Sequence, residues 1–392
     1  MNILFSLTNL SIGGAQMFVL NLAKAFAADS NCNVFIYDHN PEYSSPSLYE
    51  FCDSQVRILN YSGNPLIRFC VLRFNGLIKR MGIRFDFRKW YNRKKFIRAL
   101  KRNKIDVVNS QMSESDFLCG EMVDRSIKLV ITLHGEFELY LNSSDKKISS
   151  KIDALLDRDP EIIYTADKNY TAIADKLKIR EITAKKIYIG IQPNVFKVKP
   201  VNKKSLFGTD DVFVLGMVSR GIPEKGWEFL INLFNTLLKD NSRLRLLLIA
   251  DGSYIRTVVD AEKNDKIVLL QMEKEYQDYF SYYQAMDLFV FPTFFKGESV
   301  PTVIAESLYW RIPVIANDHA EIKNMISSEL GLAGALVKVE DLVQMTSNYM
   351  VKIKEYSCNA GLMQSKKLLC DAAYVKFDIS SIKDQYNTIF KN

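Results

Sequence analysis

Along nearly the whole 392-residue chain, short apolar runs alternate with stretches whose apolar residues recur every three or four positions. The first pattern fits strands buried on both faces, and the second fits amphipathic helices. Strands are predicted at Asn2–Leu7, Asn33–Tyr37, Asp106–Asn109, Leu129–Leu133, Glu161–Thr165 and Lys186–Ile189. A second series is predicted at Val212–Val218, Leu244–Ala250, Lys266–Leu270, Asp287–Phe291 and Pro313–Ala316. Helices are predicted at Ala15–Ala28, Trp227–Lys239, Tyr254–Lys263, Tyr276–Ala285 and Pro301–Trp310, and Ile379–Phe390 reads as a helix with no assignable sheet. Strand–helix alternation of this kind implies an α/β protein with doubly wound parallel sheets.

The polar, Pro-containing segment 196–204 separates the two series and has no periodicity. The expected organisation is a first Rossmann-like domain over 1–196, a linker over 197–206 and a second Rossmann-like domain over 207–376. A C-terminal helix over 377–392 could cross back to the first domain. Two such domains would face a cleft at the carboxyl ends of their strands. The length agrees, since 392 residues suit two domains of roughly 150–200 each.

Composition narrows the class. At 48% hydrophobic and 25% charged, with 17 Gly and 10 Pro, the chain is neither disordered, collagen-like nor a disulfide scaffold. The six cysteines form no CxxC pair or metal-ligand spacing, and read as reduced, mostly packing residues of a cytosolic protein. The N-terminal segment lacks a basic n-region and reads as a strand and turn, not a signal peptide. No run of 18 apolar residues is present, so any membrane contact is expected to be peripheral.

The richest candidate chemistry lies in Lys296-Gly-Glu298-Ser299-Val300-Pro301-Thr-Val-Ile-Ala-Glu306. Glu298 falls in a loop after a strand, Pro301 suits a first helical turn, and Glu306 lies inside an otherwise apolar helix. Two such acids can face a polyhydroxyl ligand while first-turn amides bind its oxygens. The plainer alternative has Glu298 capping the helix and Glu306 paired with a base. In the loop Ser219-Arg220-Gly-Ile-Pro-Glu-Lys225, two bases five residues apart are placed to hold a diphosphate, or else are solvated loop charges.

Gly13-Gly14-Ala15 would let a ligand approach a helix N-terminus closely. Neither GxGxxG nor an acid at the expected place after the second strand accompanies it, so a dinucleotide fingerprint is absent, as is a P-loop. His134 ends a strand at the expected cleft edge, and could be catalytic or simply packed. His39 and His319 have less support. Three scattered histidines argue against a zinc site. The triplet Asp157-Arg158-Asp159 sits in a charged helical stretch and is set aside as a metal site.

In order, these motifs resemble the GT-B glycosyltransferases, most closely the retaining family 4 enzymes, over nearly the full length. The resemblance rests on Gly13-Gly14-Ala15, His134, Pro193-Asn194, Ser219-Arg220 with Lys225-Gly226, Ala250-Asp251-Gly252, and the Glu-x7-Glu spacing of Glu298 and Glu306. It implies a GT-B architecture of two Rossmann-like domains. It further implies catalytic roles for Glu298, His134, Arg220 and Lys225. Donor binding would fall to Gly14, Ser219, Arg220, Lys225, Asp251, Gly252, Ser299, Val300 and Glu306. Arg220 and Lys225 would neutralise the donor diphosphate, Glu306 would hold the ribose and Glu298 the transferred sugar. No metal or other cofactor is implied beyond the nucleotide sugar. The expected activity is transfer of a hexose-type sugar to a glycan or lipid-linked acceptor in cell-surface polysaccharide synthesis. Gln16, Asp318-His319-Ala320-Glu321 and Tyr309-Trp310-Arg311 depart from the usual pattern and bear on sugar and acceptor choice. The rival readings are a nucleotide-sugar epimerase of the same fold, a non-catalytic nucleotide- or membrane-binding protein and, less favoured, an NAD-dependent dehydrogenase.

The net charge of +7 is unevenly spread. Residues 68–104 hold fourteen bases and one acid, Asp86, while the rest of the chain holds 38 bases and 44 acids. Between Asn64 and Lys104 those bases are interleaved with Leu66, Ile67, Phe69, Val71, Leu72, Phe74, Leu77, Ile78, Met81, Phe85, Phe87, Trp90, Tyr91 and Phe96. Basic residues with aromatics suit an anionic membrane surface. A solvated basic helix is the alternative, and no nucleic-acid-binding motif accompanies the charge. The expected location is the cytoplasm, peripheral to the inner face of a membrane.

Overall fold

The apolar runs are strands of two parallel sheets in a computed structural model that describes residues 1–11, 13–50, 52, 55–60, 65–82, 85–135, 146–192, 201–271 and 279–391. By contacts the chain divides into two compact units, one comprising Met1–Gly190 with Ile379–Asn392, the other Ile191–Asp378.

In the first unit, β1 (Asn2–Leu7), β2 (Asn33–Asp38), β3 (Val56–Leu59), β4 (Val107–Ser110), β5 (Lys128–Leu133), β6 (Glu161–Tyr164) and β7 (Ala184–Lys186) form a sheet of order β3-β2-β1-β4-β5-β6-β7. Phe5 of β1 stands opposite Ile36 of β2 on one side and Asn109 of β4 on the other. Five of the six residues of β1 are buried, as befits a central strand covered on both faces. The flanking helices are α1 (Gly14–Ala27), α2 (Pro46–Glu50), α3 (Pro65–Arg80), α4 (Phe87–Arg102), α5 (Ser113–Met122), α6 (Lys146–Leu156), α7 (Asp167–Thr171) and α8 (Ala174–Ile179). One core layer joins Leu4, Phe35, Val108 and Ile131 of the sheet to Phe96 and Leu100 of α4 and Ile152 and Leu155 of α6.

The second unit opens with α9 (Lys203–Phe207). Its sheet contains β8 (Phe213–Ser219), β9 (Leu244–Ala250), β10 (Ile267–Gln271), β11 (Leu288–Phe291), β12 (Val314–Asn317) and, beyond the antiparallel pair β13 (Ser327–Ser328) and β14 (Gly331–Leu332), β15 (Gly334–Val337). The strand order is β10-β9-β8-β11-β12-β15. Its helices are α10 (Trp227–Leu238), α11 (Ser253–Glu262), α12 (Tyr279–Tyr283), α13 (Thr302–Tyr309), α14 (Ile322–Ile326), α15 (Leu342–Cys358) and α16 (Ala360–Tyr374).

The final helix, α17 (Ile379–Lys391), belongs to the first unit, where it packs on α1. Its buried face carries Ile379, Ile382, Tyr386 and Phe390. Phe390 stacks on Phe26 at 5.3 Å, and the Tyr386 hydroxyl lies 3.2 Å from Thr132 Oγ1. This is the sheet home that periodicity alone leaves open.

Several sequence expectations are corrected. The edge strands β3 and β15 were not anticipated, and β7 lies at 184–186, with the apolar residues after it outside the ladder. A helix over 203–207 begins inside the expected linker 197–206 and runs past its end, while 197–200 lies outside the described residues, as do Pro193 and Asn194. The helix expected from Tyr276 is described only over Tyr279–Tyr283. An acid does end the second strand: Asp38 closes β2, where its buried carboxylate accepts hydrogen bonds from Ser44 Oγ, Tyr49 Oη and the Asn40 amide. Cys70 and Cys358 are exposed, not packed.

Candidate active site

In the second unit, the chemistry-bearing residues follow the carboxyl ends of three neighbouring parallel strands, β9, β8 and β11. Ser219 is the last residue of β8, and the backbone then turns through Arg220 and Gly221 to a single 3-10 turn, Pro223–Lys225. Gly226 adopts φ +84° before α10, and a Cβ there would lie 2.3 Å from the Pro292 carbonyl oxygen. Glycine is therefore required both by conformation and by space. Asp251, after β9, accepts the Gly221 amide at 2.7 Å and so ties two strand-end loops together. Gly252 follows at φ +85° and precedes α11.

The loop after β11 delivers Glu298. Its Oε2 lies 2.5 Å from Lys225 Nζ, and the two side chains are only 9% and 5% exposed. Thr293 Oγ1 donates to the same oxygen at 3.2 Å. Behind it runs a buried relay: Tyr349 Oη donates to Asn317 Oδ1 at 2.9 Å, and Asn317 Nδ2 donates to the Thr293 carbonyl at 3.0 Å. Burial holds the Lys225 ammonium below its usual range despite Glu298, and Arg220 adds to that pressure. The Arg220 guanidinium lies 5.0 Å from the Phe295 ring centroid and Lys225 Nζ lies 4.9 Å from the same centroid. One aromatic ring thus stands against both cations, which Coulomb repulsion would otherwise drive apart.

The plainer alternatives for the two acids are set aside by these contacts. The N-cap of α13 is Pro301, with no side-chain cap bond, so Glu298 does not cap the helix. Ser299 and Val300 bridge Glu298 to that N-terminus and are buried. Glu306, 3% exposed within α13, accepts from Tyr279 Oη at 3.0 Å and Tyr283 Oη at 2.7 Å. Burial pushes its carboxyl up to about 7, against the lowering effect of those hydroxyls.

In the first unit, α1 begins at Gly14 without a side-chain cap, directly after Gly13. Gln16 Nε2 donates a hydrogen bond to Ser11 Oγ at 3.2 Å. His134 follows β5. Its Nε2 lies 2.6 Å from Gln111 Oε1, which obliges Nε2 to carry the proton and leaves Nδ1 an acceptor. Nδ1 is buried and has no hydrogen-bond partner among the described residues. Burial lowers the imidazole to about 4, so it is neutral at physiological pH.

The other sequence candidates are occupied structurally. His39 Nε2 lies 2.9 Å from Ser6 Oγ, and His319 Nε2 lies 3.0 Å from the Phe295 carbonyl. Asp157-Arg158-Asp159 is the turn after α6, where Arg158 donates to backbone carbonyls of Gly120 and Val123 and Asp157 pairs with Arg180. Among the described residues no group of three or more His, Cys, Asp or Glu is disposed to hold a metal ion. Tyr309 packs on Tyr374, and the exposed Arg311 pairs with Asp371 of α16.

Sequence reasoning did not single out Thr293, Phe295, Tyr279, Tyr283 or Gln111. The two tyrosines are spaced i, i+4, a helical signal that they share a face, but nothing in the sequence points them at Glu306.

Residues 184–353 match the family described as Glycosyl transferases group 1, and residues 12–168 match Glycosyltransferase Family 4. The chain is 25% identical over 311 residues to a 41.2 kDa protein in the cps region of Klebsiella pneumoniae, covering 76% of this chain and 81% of that one. It is 30% identical over 128 residues to the capsular polysaccharide biosynthesis glycosyltransferase CapM of Staphylococcus aureus, about a third of each chain (31% and 32%). Among solved structures it resembles HepE of Anabaena in complex with UDP, with a TM-score of 0.68 at 15% identity over 100% of both chains. It also resembles the sucrose-phosphate synthase of Thermosynechococcus elongatus, with a TM-score of 0.69 at 16% identity over 100% of this chain and 98% of that one. Two parallel-sheet Rossmann-like units, matched by both family halves in order, make this chain a GT-B glycosyltransferase of the family 4 type.

Proposed function

We propose that the protein is a retaining glycosyltransferase that moves a hexose from a nucleoside diphosphate sugar to a glycan or lipid-linked acceptor in cell-surface polysaccharide synthesis. The observation that carries this reading is the buried Lys225–Glu298 ion pair beside Arg220. A lysine held in a dry site by one carboxylate, with a guanidinium sharing its aromatic wall, is a preorganised cradle for the charge that develops on a departing diphosphate. In this reading Arg220 and Lys225 neutralise that diphosphate in place of a metal. Glu306 takes the ribose hydroxyls, and the strand-end loops at Ser219 and at Asp251 and Gly252 shape the nucleotide pocket.

Glu298 then receives hydroxyl groups of the transferred sugar, assisted by backbone groups at Ser299 and Val300. His134 approaches the sugar or the acceptor, and Gly14 leaves room for the phosphates. The anomeric C–O bond to phosphate breaks and a C–O bond to the acceptor forms on the same face. The leaving phosphate oxygen takes the acceptor proton, so Glu298 is not a covalent nucleophile.

The relatives support the setting: one lies in the cps region of Klebsiella pneumoniae and one is a capsular polysaccharide biosynthesis glycosyltransferase. HepE has been solved with UDP and with UDP-glucose. We read the basic segment 68–104 as the contact with an anionic membrane and place the enzyme in the cytoplasm at its inner face. A thermal-shift screen of UDP-, GDP-, ADP- and dTDP-sugars, followed by NMR of the product, tests the proposal. The expected results are stabilisation by one nucleotide class and a product of retained anomeric configuration. An inverted product overturns the mechanism, and no stabilisation by any nucleotide overturns the donor site.

A further inference from the structure

The α3–α4 hairpin presents an apolar surface left exposed among the described residues. On α3, Phe69, Phe74 and Leu77 are 57%, 48% and 53% exposed, and Met81 just beyond it is 66% exposed. Phe69, Phe74 and Leu77 border an open groove of about 800 Å³ whose wall also takes in Cys70, Val71 and Phe87, with Arg73 its one charged member. The opposite side of α3 turns inward, where Asn75 is buried and accepts the Arg88 amide at 3.3 Å. Phe74 meets Phe87 of α4 edge-on at 4.7 Å, and Phe87 stacks on Trp90 at 5.5 Å. The aromatic ladder therefore continues across both helices, and α4 enters the core only further along, through Phe96 and Leu100.

Around this surface the exposed charges are almost all positive, among them Arg73, Arg80, Lys89, Lys94, Arg98 and Lys101. The single acid of the segment, Asp86, caps α4 by accepting the Lys89 amide at 3.0 Å. Contiguous apolar exposure with a polar rim marks a surface built to meet another phase or partner. A second copy docking through the same face would bring two +13 segments together, and Coulomb repulsion opposes that. An anionic bilayer satisfies both halves of the surface, with acyl chains for the aromatics and headgroups for the bases. Among the described residues no helix is long and apolar enough to cross a membrane. At sixteen residues α3 is suited to lying in the interface plane.

We propose that the α3–α4 hairpin is an insertion element, in which the Phe69–Met81 edge enters the acyl region while the surrounding bases stay at headgroup depth. This rests on the reading of 68–104 as a membrane contact and adds that binding is hydrophobic as well as electrostatic. The test is flotation of the full chain with vesicles of phosphatidylcholine mixed with phosphatidylglycerol, compared with pure phosphatidylcholine. It is run at about 0.1 M and about 1 M salt, where screening lengths are roughly 10 and 3 Å. The wild type should bind mixed vesicles at both salt levels, more weakly at the higher. Phe69→Ser with Leu77→Ser, both exposed and outside the aromatic ladder, should lower low-salt partitioning at least roughly tenfold and abolish high-salt binding, with melting unchanged.

Trp90 provides a second readout. Brominated acyl chains should quench wild-type fluorescence more than that of Trp90→Phe. Absence of binding to any vesicle overturns the membrane reading itself. Binding that vanishes at 1 M salt, is indifferent to the double substitution and shows no Trp90 quenching leaves that reading standing and overturns insertion. Concentration-dependent dimers that the same substitutions dissolve would make the face a protein interface and likewise overturn it.

Discussion

Lys225 Nζ lies 2.5 Å from Glu298 Oε2, an ion pair that joins two strand-end loops 73 residues apart. Each charge is buried in the company of the other, so the two loops are set in register before any donor arrives. Removing one partner strands the other, at a cost of about 3–5 kcal/mol. Lys225→Met and Glu298→Leu are each expected to lower the melting transition of the second unit, and their combination to recover most of it. Activity should fall about 10²–10³-fold in either single variant and stay lost in the double. Calorimetry alongside initial rates checks this, and additive stability losses would contradict it.

Thr293 holds Glu298 directly, and Tyr349 and Asn317 brace it from behind through Thr293. Tyr349→Phe leaves Asn317 Oδ1 without that donor, an expected cost of about 1–3 kcal/mol. Because the relay fixes where Glu298 points, kcat should drop while KM holds. A change confined to KM would assign the relay another role.

Glu306 makes a pH-dependent demand on the fold. Its carboxyl stands at about 7 in the folded protein against a reference of 4.5. Below the reference value it is neutral in both states and adds no cost. As pH rises from there through 7 the unfolded chain ionises first, and stability falls by up to about 3 kcal/mol. Glu306→Gln should remove that decline, so the wild-type and variant stability curves diverge on the alkaline side. Affinity for the nucleoside diphosphate should meanwhile rise through pH 7 in the wild type only, as the carboxylate gains capacity to accept ribose hydroxyls. Calorimetric titration across that interval checks it.

His134 shows the opposite dependence. Its imidazole is held at about 4 against a reference of 6.5, so the folded state resists protonation that the unfolded chain accepts. The stability it contributes is present above 6.5 and declines as pH falls toward 4. In histidine-labelled protein its ring resonances should stay those of the neutral, Nε2-protonated form to about pH 5. A midpoint near 6.5 would contradict the burial and the Gln111 contact.

Central strands were legible because parallel strands buried on both faces must be continuously apolar. The strands that escaped notice are edges. β3 reads Val-Arg-Ile-Leu with only its first residue buried, and β15 opens on Gly334, where a Cβ would lie 1.8 Å from the Val314 carbonyl oxygen. An edge strand has one ladder partner and less need for an apolar run. At the site, loop positions and residue types were readable, since Arg220, Lys225 and Glu298 fall at strand ends. Their pairing was not, because a contact across 73 residues leaves no periodic trace. The tyrosines on Glu306 and the glutamine on His134 were hidden for the same reason.

The helix α17 carries a consequence for how the chain is made. Four buried side chains that complete the first unit sit at 379–390, after every residue of the second unit. On the ribosome, therefore, the second unit can finish folding while the first waits, its Phe5 and Phe26 lacking Phe390. The unit whose synthesis begins first is thus the one completed last. A nascent chain arrested anywhere before α17 keeps an open apolar face and is a natural client for chaperones or proteases.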